Sequence, residues 1–173
     1  MRYIFLILYY CFAAYLPDSY SPVIGPICNR IRIFCCKFIF KKCGKISTIN
    51  RCAYFGMGRD VEIGDYSGLG ARCKVPNDIR IGKYVMMAPE VLIFNRNHRT
   101  DDPSRPFCEQ GMTETRQVVI GDNVWIGERA ILTAGRRIAD NTVIAAGSVV
   151  TKDFPEGSII GGNPAKFIRK TFE

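Results

Sequence analysis

Along most of this chain a large aliphatic residue returns every sixth position, followed by a small or turn-forming residue. The first run is Met57-Gly58, Ile63-Gly64, Leu69-Gly70, Val75-Pro76, Ile81-Gly82 and Met87-Ala88, and Ile93 falls on schedule but is followed by Phe94. The pattern breaks and resumes at Ile120-Gly121, Ile126-Gly127, Leu132-Thr133, Ile138-Ala139, Ile144-Ala145 and Val150-Thr151. Four positions after each aliphatic comes a smaller or β-branched residue, among them Val61, Ser67, Cys73, Ile79, Val85, Val91, Val124, Ala130, Thr142 and Ser148. A period of six is neither the 3.6 of a helix nor the 2 of a sheet strand. It fits a triangular coil, in which each short strand is one side, the aliphatic points inward, and the small residue lets the chain turn the corner. Three sides make a coil of about 18 residues. Coils stack about 4.8 Å apart as a parallel ladder. The pattern predicts an all-β chain built as a parallel β-helix over residues 45–160.

Two stretches stand outside this pattern. Residues 99–117 are polar, contain Pro103, Pro106 and Gly111, and lack the repeat. A long loop between regular coils is usually functional or disordered, and its place immediately after His98 favours function. Residues 1–44 hold an apolar run, Tyr3–Leu16, and a second segment, Ile31–Lys42. There Ile33, Phe34, Phe38 and Phe40 mix with Arg32, Lys37, Lys41 and Lys42. The first run is too short to span a bilayer, and its tyrosines and weak Ala13–Ala14 site disfavour a secretory signal. Two readings stay open: a helix pair lying on an anionic membrane surface, or segments packed against the end of the β-helix. A local bulge or outward turn is expected at Arg136, because an arginine inside the prism is costly.

Composition changes this picture little. The formal net charge of +8 is concentrated near the N-terminus, in Arg30, Arg32, Lys37, Lys41, Lys42, Lys45 and Arg51. No zinc-finger spacing or RNA-binding signature accompanies it, so nucleic acid is not an expected partner. Five of the eight cysteines lie in the first 43 residues among aromatic and aliphatic neighbours. They read as small hydrophobes in a reducing compartment. No Cys-x-x-Cys pair is present, and no metal site is expected.

His98 is the sole histidine. A neutral imidazole beside a functional loop is suited to general-base work. Asn97-His98, Ile120-Gly121-Asp122-Asn123-Val124-Trp125-Ile126-Gly127, Ala146-Gly147-Ser148-Val149-Val150-Thr151-Lys152-Asp153 and Gly162-Asn163-Pro164-Ala165-Lys166 resemble the hexapeptide-repeat acyltransferase superfamily. The resemblance covers roughly residues 45–170 and is nearest to galactoside, maltose and polysaccharide O-acetyltransferases. It implies a left-handed β-helix, a homotrimer with active sites between subunits, acetyl-CoA as co-substrate and a carbohydrate acceptor. The catalytic base falls on His98. The coenzyme contacts fall on Trp125, Ala146, Thr151, Lys152, Lys166 and Arg169. Asn97, Asp101, Asp102 and Glu109, beside or within the loop, are candidates for acceptor binding, and the carboxylates also for orienting His98. The asparagine that sugar acetyltransferases place about thirty residues before the histidine corresponds here to Gly68, which argues against galactoside-type acceptor recognition.

The full expectation is thus a helical N-terminal segment (1–44), the β-helix (45–160) and a C-terminal segment (161–173) with a short helix. The location would be cytoplasmic, with peripheral contact at the inner membrane face as one of the two readings of residues 1–44. Three rival functions bear on it. A γ-type carbonic anhydrase needs three histidines and is eliminated by the single one present. An N-acetyltransferase acting on an amino sugar or nucleotide sugar differs only in the attacking atom. A non-catalytic membrane scaffold would not require His98.

Overall fold

The computed structural model describes residues 1–172. Helices α1 (Arg2–Cys11) and α2 (Gly25–Ile39) come first. Fifteen short strands follow: β1 (Lys42–Cys43), β2 (Thr48–Ile49), β3 (Glu62–Ile63), β4 (Gly68–Leu69), β5 (Arg80–Ile81), β6 (Met86–Met87), β7 (Leu92–Ile93), β8 (Val119–Ile120), β9 (Trp125–Ile126), β10 (Ile131–Leu132), β11 (Arg137–Ile138), β12 (Val143–Ile144), β13 (Val149–Val150), β14 (Ser158–Gly161) and β15 (Lys166–Lys170). They form the three faces of a prism. The first face is β1-β3-β5-β8-β11, and the third is β7-β10-β13. The second runs from β2-β4 into β6-β9-β12-β14, since the Gly68 N–H donates to Val85 O at 3.1 Å. All pairs within the coils are parallel and in register, so Ile63, Ile81, Ile120 and Ile138 stack in one inward column.

Two residues per side point inward. Ile63, Leu69, Ile126, Leu132 and Ile144 are at most 1% exposed, and so are Val61, Ser67, Cys73, Ile79 and Ser148 from the second series. Val61, Ile79 and Val118 extend that second column. A two-residue side with both ends buried needs a period of six, which is why the spacing was legible. The first coil is out of phase with the rest. Its inward residues are Cys43, Ile49 and Phe55, while Met57, read as on-phase, is 48% exposed. A longer corner between Phe55 and Val61 absorbs the two-residue shift.

Apart from Gly58 (φ 61°), the glycines behind the aliphatics do not make the turns. The left-handed residue comes three positions after the aliphatic, at Tyr66 (φ 59°), Arg72 (53°), Tyr84 (57°), Asn123 (53°) and Asn141 (58°). Side chains there cost roughly 1–2 kcal/mol, offset by backbone bonds to the preceding coil such as Tyr84 N–H to Asp65 O at 2.9 Å. The glycines answer to stacking instead. A Cβ on Gly64 would lie 2.6 Å from Gly82 O, and one on Gly70 would collide with the Ala88 carbonyl.

Three further expectations are corrected. The C-terminal segment is not helical: β15 returns antiparallel along β14. The last coil otherwise leaves an open edge of N–H and C=O groups, which this strand pairs. No bulge marks Arg136, because Arg137 and Ile138 keep register with Val119 and Ile120. The Arg136 side chain is only 16% exposed and reaches the end of the prism, where it donates to Thr151 O (2.8 Å) and pairs with Asp153 (3.3 Å). Arg32, grouped with the cations that one reading of residues 1–44 set on a membrane surface, is fully buried. Its guanidinium donates to the carbonyls of Ile49 (2.6 Å), Ala13, Leu16 and Pro17 and to Ser19 Oγ (2.9 Å).

That arginine fastens the helices to the β-helix. Tyr9 and Tyr10 help, donating to Ala53 O and Gly56 O at 2.8 Å each. One side of the helix pair therefore packs on the first coil, as the second reading of residues 1–44 required. Among the described residues, no helix is long and apolar enough to cross a membrane.

Candidate active site

The ladder is interrupted once between complete coils, after β7. The Phe94 N–H still donates to Leu132 O (3.0 Å). The chain then leaves the edge between the third and first faces and returns at Gln117. The excursion is tied down rather than loose. Arg116 N–H donates to Asn95 O (2.7 Å), Thr113 N–H to Asn97 O (2.8 Å) and Arg99 N–H to Gly111 O (3.1 Å). These bonds make a short antiparallel hairpin in which His98 lies opposite Met112. Its root is pinned through Asp78, which accepts from the Asn95 side chain at 2.8 Å and, at its backbone carbonyl, from Gln117 at 2.5 Å.

His98 is exposed, and its imidazole meets no hydrogen-bonding partner among the described residues. The nearby acids are occupied elsewhere. Asp101 pairs with Arg99 at 2.8 Å, which holds its carboxyl below the usual range. Asp102 accepts from the Ser104 hydroxyl (2.6 Å) and N–H (2.9 Å), which also lowers it. Both serve the hairpin tip. Glu109 is exposed, and Asn97 contributes its backbone to the hairpin stem. None of the four is bonded to the imidazole.

The expected coenzyme residues fall on two separate parts of the prism. Trp125, 51% exposed, lies on the outside of the second face. The register Trp125, Val143, Ile159, Arg169 carries that column to the C-terminal end. Ala146 turns the corner from the second face to the third. Lys166 sits opposite Gly161, next to Ala165, whose N–H donates to Val149 O (2.8 Å). Thr151 and Lys152 belong to a different edge, between the third and first faces, which is the edge that bears His98. There Lys152 Nζ rests over the Phe154 ring at 5.5 Å.

A cleft of about 290 Å³ that the repeat gave no reason to expect opens low on the second face. Thr48, Gly68 and Met86 form its floor, and Asp18 and Tyr20 its wall. The wall is part of the link between the helices, held by Arg32 and by the Ser19 N–H bond to Asn50 Oδ1 (3.0 Å). One signal could have found it: Asp18 is the only acidic residue among the first 59. Gly68, the position flagged as unlike galactoside enzymes, lies on the floor of this cleft.

Comparison with known proteins places this geometry. Residues 117–152 match the family model described as bacterial transferase hexapeptide (six repeats). The solved structure of a maltose O-acetyltransferase from Clostridium difficile 630 superposes over 99% of this chain and 87% of its own, with a TM-score of 0.78 and 32% identity. The chain belongs to the hexapeptide-repeat acyltransferase family. A galactoside acetyltransferase solved in complex with coenzyme A matches 98% of this chain and 80% of its own, at a TM-score of 0.77 and 28% identity. Among curated relatives, the galactoside O-acetyltransferase of Escherichia coli (strain K12) is 32% identical over 136 residues, which are 78% of this chain and 66% of that protein. The chain thus spans slightly under two thirds of the length of that relative. The three-faced prism is the left-handed parallel β-helix of this family, as the sequence motifs implied.

Proposed function

We propose that this family member transfers an acetyl group from acetyl-CoA to a hydroxyl of a carbohydrate, with His98 as general base. The observation that carries the reading is the free, exposed imidazole of His98 on a pinned hairpin, at the one break between complete coils. The names of the galactoside and maltose O-acetyltransferase relatives support the acceptor class. The coenzyme A complex of one relative supports the donor.

The chemistry asks little else of the protein. The imidazole takes the acceptor proton as the hydroxyl oxygen attacks the thioester carbonyl. The tetrahedral adduct then expels the thiolate, which recovers the proton from the imidazolium. Exposed Lys166 and Arg169 would meet the coenzyme phosphates by charge-assisted hydrogen bonds. Trp125 would lie along the pantetheine arm.

The active unit is proposed to be a homotrimer. His98, Thr151 and Lys152 share one edge of the prism, whereas Trp125, Ala146, Lys166 and Arg169 lie on another face and corner. A single coenzyme held by both sets needs the edge of one prism set against the second face of its neighbour. A cyclic, head-to-tail interface does this. The cleft at Asp18 would then receive the acceptor opposite His98. The proposed location is cytoplasmic, in keeping with eight unpaired cysteines, with the helical segment at the membrane face.

Thiol release from acetyl-CoA tests the reading. His98→Ala is expected to lower transfer by about 10²–10⁴-fold, with trimer mass and coenzyme binding unchanged. A wild-type chain that binds no acetyl-CoA, or a His98→Ala chain of full activity, would refute it.

A further inference from the structure

The helix pair packs one side on the prism and leaves the other uncovered. On α1, Tyr3 is 68%, Ile4 67% and Ile7 64% exposed; on α2, Ile27 is 57% and Phe34 53% exposed. Ile4, Ile7 and Leu8, like Ile27, Phe34 and Phe38, are spaced as neighbours on one helix surface. The two stripes join, because Phe5 stacks on Phe38 at 4.1 Å and meets Phe34 edge-on at 5.6 Å. Isolated exposed hydrophobics need no explanation, but a continuous surface of this kind marks an interaction site.

Charge selects the occupant. The first 45 residues hold seven basic side chains and one acidic one. Arg30 and Lys37 are exposed on α2 beside its apolar stripe, while Lys41 pairs with Glu62 at 2.9 Å on the first face. A surface that mixes large aromatics and aliphatics with cations, on helices too short to span a bilayer, fits the interface of an anionic membrane. The one acid, Asp18, is withdrawn into the cleft of the second face. The link carrying Asp18 and Tyr20 also exposes Val23 (88%) and Tyr20 itself (79%). The mouth of the cleft therefore borders the apolar surface.

We propose that the outer face of α1 and α2 lies on an anionic bilayer, with the cleft mouth at the lipid, so that the acceptor sugar is one carried on a membrane lipid. The nature of the acceptor rests on the acyltransferase reading, whereas the docking itself does not.

The test needs no acceptor. The full chain is sedimented with vesicles of phosphatidylcholine alone, or with a third of the lipid replaced by phosphatidylglycerol. Binding at least tenfold stronger to the anionic vesicles is expected. The combined change Ile4→Glu and Ile7→Glu, at exposed positions, should abolish most of it. His98→Ala should bind like the wild type, which separates a failure of docking from a failure of catalysis. Orientation is read with brominated lipid in the same vesicles. Trp125, the sole native tryptophan, lies one strand beyond Met86 on the same face, so the wild-type chain sets the baseline, above which Tyr20→Trp should add a quenched component. Absence of vesicle binding, or equal binding by the double variant, overturns the docking. So does a concentration-dependent doubling of mass that the double variant abolishes, because the face would then join two copies of the chain. Binding without quenching at Tyr20→Trp overturns the lipid-borne acceptor.

Discussion

The helical segment and the coils are stabilised by opposite strategies, and each contains one inward arginine that shows the difference. In the coils every side repeats the same two inward positions, so stability is spread over columns such as Ile63, Ile81, Ile120 and Ile138. Arg136 intrudes into a column otherwise occupied by Val61, Ile79 and Val118, and its Nε is buried without a partner. The helical segment has no repeat to rely on. Its seat converges on Arg32, whose donors reach four carbonyls and a hydroxyl contributed by the helix link and by the first coil. A buried polar group is tolerated when it is fully satisfied and costs when it is not. One arginine is thus a fastening. The other is a local burden that the repeat around it can carry.

The largest effect should follow from removing the fastening. Arg32→Ala leaves the carbonyls of Leu16 and Pro17 without their donor, leaves Ile49 O only the Ser19 hydroxyl, and opens a cavity, so a loss of about 4 kcal/mol is expected. Denaturant unfolding should show it. Proteolysis should show the helices released before the coils. A loss below about 1 kcal/mol, on the scale of an ordinary surface substitution, would mean that Tyr9 and Tyr10 hold the segment alone.

In the coils the sensitive points are the close approaches. Gly70 is not in the left-handed region, yet an added Cβ would meet the Ala88 carbonyl of the next coil. Gly70→Ala should cost about 2 kcal/mol through overpacking. Gly147 is the reverse case, with φ 68° and open space around its Cβ position. Gly147→Ala should cost about 1 kcal/mol from backbone strain alone. Thermal unfolding of the two variants separates stacking from turning as the reason for glycine. Equal losses would erase the distinction.

The same contrast decides what could be read from the chain. The prism was legible because one rule is repeated over many residues, and the hairpin at His98 because it breaks that rule. The first coil was missed because two extra residues near Gly56–Asp60 shift its phase, which hid Ile49 and Phe55. The role of the glycines was misread because crowding between coils and a left-handed turn favour the same residue. The buried state of Arg32 depends on carbonyls from two stretches of chain far apart in sequence, Ala13–Pro17 and Ile49, and no local pattern announces that. The candidate site was legible as residue types, since His98, Trp125 and Lys166 lie in recognisable motifs. Their division between two parts of the prism was not, because it emerges only when the coils are stacked.

The smallest expected effect is the most pointed. Arg136→Val restores the aliphatic column of Val61, Ile79 and Val118 and removes the orphaned Nε. The partners it releases are exposed: Asp153 is 44% accessible, and Thr151 is at the surface. Both can return to water, unlike the carbonyls around Arg32. Replacing a buried, incompletely paired charge with a fitting apolar residue is often neutral or stabilising, so the change should stay within about 1 kcal/mol of neutral. Calorimetric unfolding measures it. A destabilisation approaching that of Arg32→Ala would show that Arg136 also fastens its end of the prism, and the contrast between a distributed core and a single clasp would fail.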